Sequence, residues 1–73
     1  MKQLTEETHT YTFNSSTGVI TVNCSASIVE DGVITEHEET VTDDRIPADA
    51  DSSVLNDISL ALFNVWLSGK LED

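Results

Sequence analysis

From Val19 to Val29 the chain alternates without a break, placing Ile20, Val22, Cys24, Ala26 and Ile28 on one side and Thr21, Asn23, Ser25 and Ser27 on the other. A helix would scatter these apolar residues around its circumference, whereas a β-strand gathers them on one face. The segment is also bracketed by turn chemistry. Asn14-Ser15-Ser16-Thr17-Gly18 precedes it, with Gly18 able to adopt positive φ. Asp31-Gly32 follows it, a pair suited to the type I′ turn that joins two antiparallel strands. A half-buried strand with a hairpin at each end is the centre of a meander.

Its neighbours fit. Thr8 to Asn14 directs His9, Tyr11 and Phe13 one way and Thr8, Thr10 and Thr12 the other, and Val33 to Thr42 forms the third strand. With Ser15–Gly18 as the first loop, Phe13 faces Ile20, Tyr11 faces Val22 and His9 faces Cys24. With Asp31-Gly32 as the second, Val22 faces Val41, Ala26 faces His37 and Ile28 faces Thr35. Both registers turn the same face of the central strand inward, and a slip of one residue in either would turn its apolar set outward. The expectation is an α+β fold in a single domain over residues 1–73: a three-stranded antiparallel meander (strands about 8–14, 19–29 and 33–42), an acidic connector over 43–52 and a helix over about 53–68. Glu36 and Glu38 point outward from the third strand, as suits a charged edge that resists unwanted pairing, and Glu39 points inward.

The C-terminal segment predicts a helix capped by Asp51, Ser52 or Ser53 and closed by Gly69 and Lys70. At 100° per residue, Val54, Leu55, Ile58, Ala61, Leu62, Val65 and Trp66 form one broad stripe expected to cover the sheet. Leu60, Phe63 and Leu67 fall outside it, joined by Leu71 if the helix continues, and are expected to form an apolar ridge for self-association. A chain of this length buries only about 60% of its unfolded surface, and lone Cys24 excludes an intrachain disulfide. A homodimer through that ridge is the expected supplement to the core.

Charge narrows the partners further. Fourteen acids face Lys2, Arg45 and Lys70, for a net charge of −11, and nine of the carboxylates fall between Glu30 and Asp51. Such a field repels phosphate backbones and anionic lipid and attracts basic protein surfaces, so direct binding to nucleic acid or membrane is not expected. The acidic partner-binding candidates are Glu36, Glu38, Glu39, Asp43, Asp44, Asp49 and Asp51. The plain alternative is a solvated edge and loop. The apolar stretch Val54–Leu67 is shorter than the ~20 residues of a membrane span. Met1 to Glu7 has no apolar signal-peptide core. Together with a single thiol, this sets a cytoplasmic expectation, host cytoplasm if the protein is viral.

Chemistry-bearing patterns are weak. The registers bring His9, Cys24 and Glu39 into one row, a set that elsewhere binds zinc or forms a nucleophile, base and orienting acid. Neither paired-ligand spacing nor a local nucleophile motif accompanies it, and a buried small Cys24 is the preferred reading. Asp49-Ala50-Asp51-Ser52-Ser53 begins like a calcium loop, but Val54 and Leu60 occupy the positions that require glycine and glutamate. No catalytic residue, metal or cofactor is expected. In size, acidity and lack of a catalytic motif the chain resembles, in general character only, small proteins of phages and mobile elements, including inhibitors that occupy nucleic-acid-binding sites. The leading expectation is a non-enzymatic inhibitor that blocks a basic, nucleic-acid-binding surface by charge mimicry. The alternative is a structural or assembly subunit, or adaptor, that self-associates through its helix.

Overall fold

A computed structural model describes residues 2–47 and 49–72. Three antiparallel strands form one open sheet in the order β1-β2-β3, with β1 at Lys2–Asn14, β2 at Val19–Glu30 and β3 at Val33–Asp43; helix α1 follows at Ser52–Leu71. This is the expected β-β-β-α architecture. Both hairpin registers are those read from the alternation: His9 faces Cys24, which faces Glu39, and Tyr11 faces Val22, which faces Val41. Asp31 and Gly32 take φ of 54° and 79°, and Gly18 takes 72°. At Gly18 a Cβ would also lie 3.2 Å from the Ile46 carbonyl oxygen, because the connector folds back over the turn there.

β1 begins six residues earlier than expected. The extension depends on a bulge between Leu4 and Glu6, where the register shifts by one. Thr5 is the extra residue, and its hydroxyl donates to the Ser27 carbonyl at 3.0 Å. The shift turns Leu4 inward opposite Ile28, whereas Glu6 keeps the register of Thr8 and points outward opposite Ser27. Leu4 thereby packs against the core. Lys2–Glu7 lacks continuous alternation because a bulge interrupts it.

The inner face of β2 forms the floor of the core, with Ile20, Val22, Cys24, Ala26 and Ile28 all buried. α1 packs across β2 and β1 and leaves β3 largely uncovered. Asp51 caps the helix, its side chain accepting from the Val54 N–H at 2.9 Å. Gly69 does not end it; the helix runs on to Leu71 and presents Lys70 in its last turn, where a cation complements the dipole.

The buried line of the helix is Leu55, Ser59, Phe63 and Leu67, flanked by the half-buried Ile58, Leu62, Trp66 and Leu71. This corrects the expected stripe by roughly one residue's rotation, ~100°. Phe63 and Leu67 are 2% and 8% exposed, so they belong to the monomer core and not to an outer ridge, while Val65 is 75% exposed. Leu71 packs against the core as well. Leu60 alone of the four candidate interface residues remains substantially exposed, at 41%. Two features select this face. Cys24 and Ala26 are small, leaving depth above β2 for the Phe63 ring, which stacks on His9 with centroids 4.7 Å apart. Ser59 is fully buried and small enough for close approach, with its hydroxyl satisfied by the Asn56 carbonyl at 2.8 Å.

The molecule is long and thin, 45 × 16 × 14 Å, with a Cα radius of gyration of 14.0 Å; a compact chain of this length has about 11 Å. Truncating Phe63 to alanine is expected to cost ~3–5 kcal/mol, and Val65→Ala no more than ~0.5 kcal/mol. Urea unfolding of the two variants checks this, and equal losses would mean that the helix presents the other face.

Candidate functional site

The face of the sheet turned away from α1 is built from short polar side chains in cross-strand rows. Glu6, Ser27 and Glu36 form one row, Thr8, Ser25 and Glu38 the next, then Thr10, Asn23 and Thr40, then Thr12, Thr21 and Thr42. Asn23, Ser25 and Ser27 are the short residues of the central strand, so they floor a trough, while Glu6 and Thr8 on one side and Glu36 and Glu38 on the other form its walls. The walls stand two strand spacings apart, ~9.6 Å. Thr40 Oγ1 donates to Asn23 Oδ1 at 3.2 Å, holding one row together.

The other acidic candidates are dispersed. Glu39 lies on the inner face and forms an ion pair with Lys70 of α1. That hydrogen bond is the main cause of a Glu39 pKa below the ordinary carboxylate value. The Trp66 indole N–H, buried and without a completed hydrogen bond, lies near the same carboxylate and adds to the lowering. Asp43 closes β3 and accepts from the Arg45 backbone N–H at 2.9 Å, which lowers its pKa, with the Arg45 side chain adding to the effect at 3.5 Å. Asp51 is committed to the helix cap. Asp44 and Asp49 are exposed in the connector. Of the seven candidates, the structure brings Glu36 and Glu38 together on the outer face, and Glu6 joins them from the opposite edge strand. Glu6 precedes the strand expected from Thr8, but it keeps the register of Thr8 and Thr10 and shares their outward direction.

The chain's three Lys and Arg residues all lie off the trough. Lys2 donates to the Glu72 carbonyl at 2.6 Å, Arg45 pairs with Asp43 in the connector, and Lys70 pairs with Glu39 beneath the helix. The trough therefore carries uncompensated negative charge.

The His9, Cys24 and Glu39 row exists in register but is divided by packing. His9 stacks on Phe63, Cys24 is 2% exposed, and Glu39 reaches across to Lys70. Burial, with Glu39 nearby, pushes the Cys24 thiol above its ordinary pKa of 9.0, so it is protonated at neutral pH and a poor nucleophile. Among the described residues no group of three or more His, Cys, Asp or Glu is placed to hold a metal ion. No described helix is long and apolar enough to cross a membrane.

No family model matches the chain, and neither the curated proteins nor the solved structures compared with it give a match.

Two measurements follow. Iodoacetamide at pH 8 should modify Cys24 at least about tenfold more slowly in the folded protein than in urea, since the thiolate must form in a buried site. Glu39, with its folded pKa depressed, contributes stability that is present above the ordinary value of 4.5 and lost as pH falls through the lower folded value. The global field acts oppositely, because protonating carboxylates relieves self-repulsion in a chain of net charge −11. The difference in urea midpoint between the parent and Glu39→Gln should therefore shrink below about pH 4.5, whatever the parent itself does. A difference independent of pH would sink the Glu39–Lys70 assignment.

Proposed function

We propose that this protein is a non-enzymatic interaction module that docks its acidic outer sheet face on a basic protein surface, occupying a site that otherwise holds nucleic acid. The observation that carries this reading is the trough walled by Glu6, Glu36 and Glu38 on a face with no Lys or Arg among the described residues. A carboxylate pair on alternate residues of one strand repeats at ~6.6 Å, about twice the ~3.4 Å axial rise per phosphate of one DNA strand, so it offers one charge for every second phosphate along the axis. Short Ser and Asn side chains between the walls leave room for lysine and arginine side chains to enter. The net charge of −11 accelerates encounter with a basic partner and repels competing acidic ones.

A second reading keeps one observation on its side. The molecule's radius of gyration, 14.0 Å, is long for its length, and Val33, Ile34 and Val65 are exposed apolar residues at the hairpin tip and on the helix. A structural or assembly subunit, with those groups covered by neighbours, accounts for both. The helix ridge first expected to supply its interface is not part of that reading, since Phe63 and Leu67 lie in the core.

The two are separated by a displacement experiment with a fluorescent DNA duplex held by linker histone. The parent protein should displace the duplex at about 50 mM salt and fail at about 500 mM, where the Debye length has fallen to only a few ångströms. Glu36→Gln/Glu38→Gln should weaken displacement about tenfold, and Asp44→Asn/Asp49→Asn, which removes equal charge, no more than about threefold. Equal losses would remove the outer face from the mechanism, and salt-independent displacement would remove charge mimicry.

A further inference from the structure

Both outer edges of the sheet lack a strand partner among the described residues, but they are not equivalent. β1 is interrupted by the Thr5 bulge, tied at its start by Lys2 to the Glu72 carbonyl, and overlain by α1. β3 has none of these protections. Its register with β2 is continuous over Val33–Asp43, and most of its residues are exposed on both faces. Every second residue of such an edge presents its backbone N–H and C=O to the outside, a template for another extended chain. What guards it is charge: Glu36 and Glu38 on the outer face and Glu39 on the inner.

That guard discriminates between occupants. In an antiparallel two-fold pairing of β3 with a second copy, directly opposed residues share a face, so a residue sits on the axis. With Glu36 on the axis it faces itself; with His37 on the axis, Glu36 faces Glu38; with Glu38 or Glu39 on the axis, each faces itself. The registers centred on Glu36, His37 or Glu38 oppose uncompensated like charges, which destabilises cross-strand pairs. The same carboxylates favour lysine or arginine opposite them. Around the C-terminal end of β3, Leu62 lines a depression with Thr42 and Asp43, and on the inner side Trp66 and Lys70 lie beside Glu39. Val41 is half-buried on the inner face of β3 and packs against the core.

We infer that the β3 edge binds an extended basic segment of a partner protein by strand addition, with Lys or Arg at alternate positions opposite Glu36 and Glu38 and, further along the segment, an apolar side chain opposite Val41 on the inner face. This rests on the charge-docking reading and specifies its geometry: backbone pairing sets the position of the segment, and the carboxylates select its sequence. Continuation of the sheet by a fourth strand would place the added cations at the rim of the acidic trough.

The test uses the full chain and an eight-residue peptide alternating lysine with valine and threonine, in three forms: unmodified, N-methylated on the odd-numbered backbone nitrogens, and N-methylated on the even-numbered ones. An added strand turns one set of nitrogens to β3 and the other to solvent. Binding measured by fluorescence anisotropy should fall about tenfold or more for one methylated form and remain within about threefold for the other. Amide hydrogen exchange should show new protection in β3 and none in β1. Glu36→Gln/Glu38→Gln should weaken the unmodified peptide about tenfold, with unchanged circular dichroism because both residues are exposed. If all three forms bind alike and weaken with salt, strand addition is overturned while charge docking stands. If one methylated form is selectively lost but the glutamate variant binds as the parent does, the edge pairs without charge selection and the basic-partner inference is overturned. No binding of any form at about 50 mM salt overturns the strand-addition inference, and the duplex displacement result then decides charge docking independently.

Discussion

The insertion of Phe63 over the Cys24 row is the contact on which the arrangement of this molecule depends. A three-stranded sheet with one helix has a single seam to bury, and the ring occupies it at mid-length, stacked on His9 and tilted against Trp66 at 5.8 Å. From there a line of contacts crosses the sheet: His9 on β1, Phe63 and Trp66 on α1, Lys70 over the Trp66 ring, and Glu39 on β3. The rotation of the helix about its own axis is set by that line. It draws Lys70 to the inner face and leaves Val65 outside.

The same arrangement decides where charge is left over. Glu39 and Asp43 are matched by Lys70 and Arg45, and Asp51 is used by the helix cap. Those matches consume the available side-chain cations around the connector and the underside of the helix. Glu6, Glu36 and Glu38 remain unmatched on the outer face, where short Ser, Thr and Asn side chains keep the surface low between them. The acidity of the chain is therefore distributed unevenly across the two faces of the sheet, and an interaction surface built on it has an orientation. The slender shape points the same way. With one sheet face and one edge uncovered, much of the strand backbone in β3 has only solvent beside it.

Much of the fold was legible beforehand, and the limits of legibility are physical. Alternation over Val19–Val29 with Asp31-Gly32 behind it gave both registers residue by residue, because a period of two tolerates no slip when one face is buried. The start of β1 was hidden because Thr5 adds a residue that breaks the period. The helix face was misread because apolar residues occur around nearly the whole circumference: Val54, Ala61 and Val65 compete with Phe63 and Leu67, and a polar Ser59 marks the side that is in fact buried. Nothing in local periodicity records that a serine with its hydroxyl bonded to Asn56 is acceptable in a core. Of the acidic candidates, the outward direction of Glu36 and Glu38 was readable from register, but the neutralisation of Glu39 was not, since it depends on Lys70, brought from far along the chain; Glu6 was missed because β1 extends beyond the unbroken alternation that begins at Thr8.

The sequence by itself determined the meander, its two registers, the turn geometry at Asp31-Gly32 and the capped helix, all of which follow from interactions among residues near one another or locked by a period of two. Tertiary structure alone decided which side of the helix is core, which carboxylates are paired and which face and edge of the sheet remain open. Those outcomes depend on the depth left above Cys24 and Ala26 and on the reach of Lys70 across to Glu39, quantities that exist only once strand and helix are in contact.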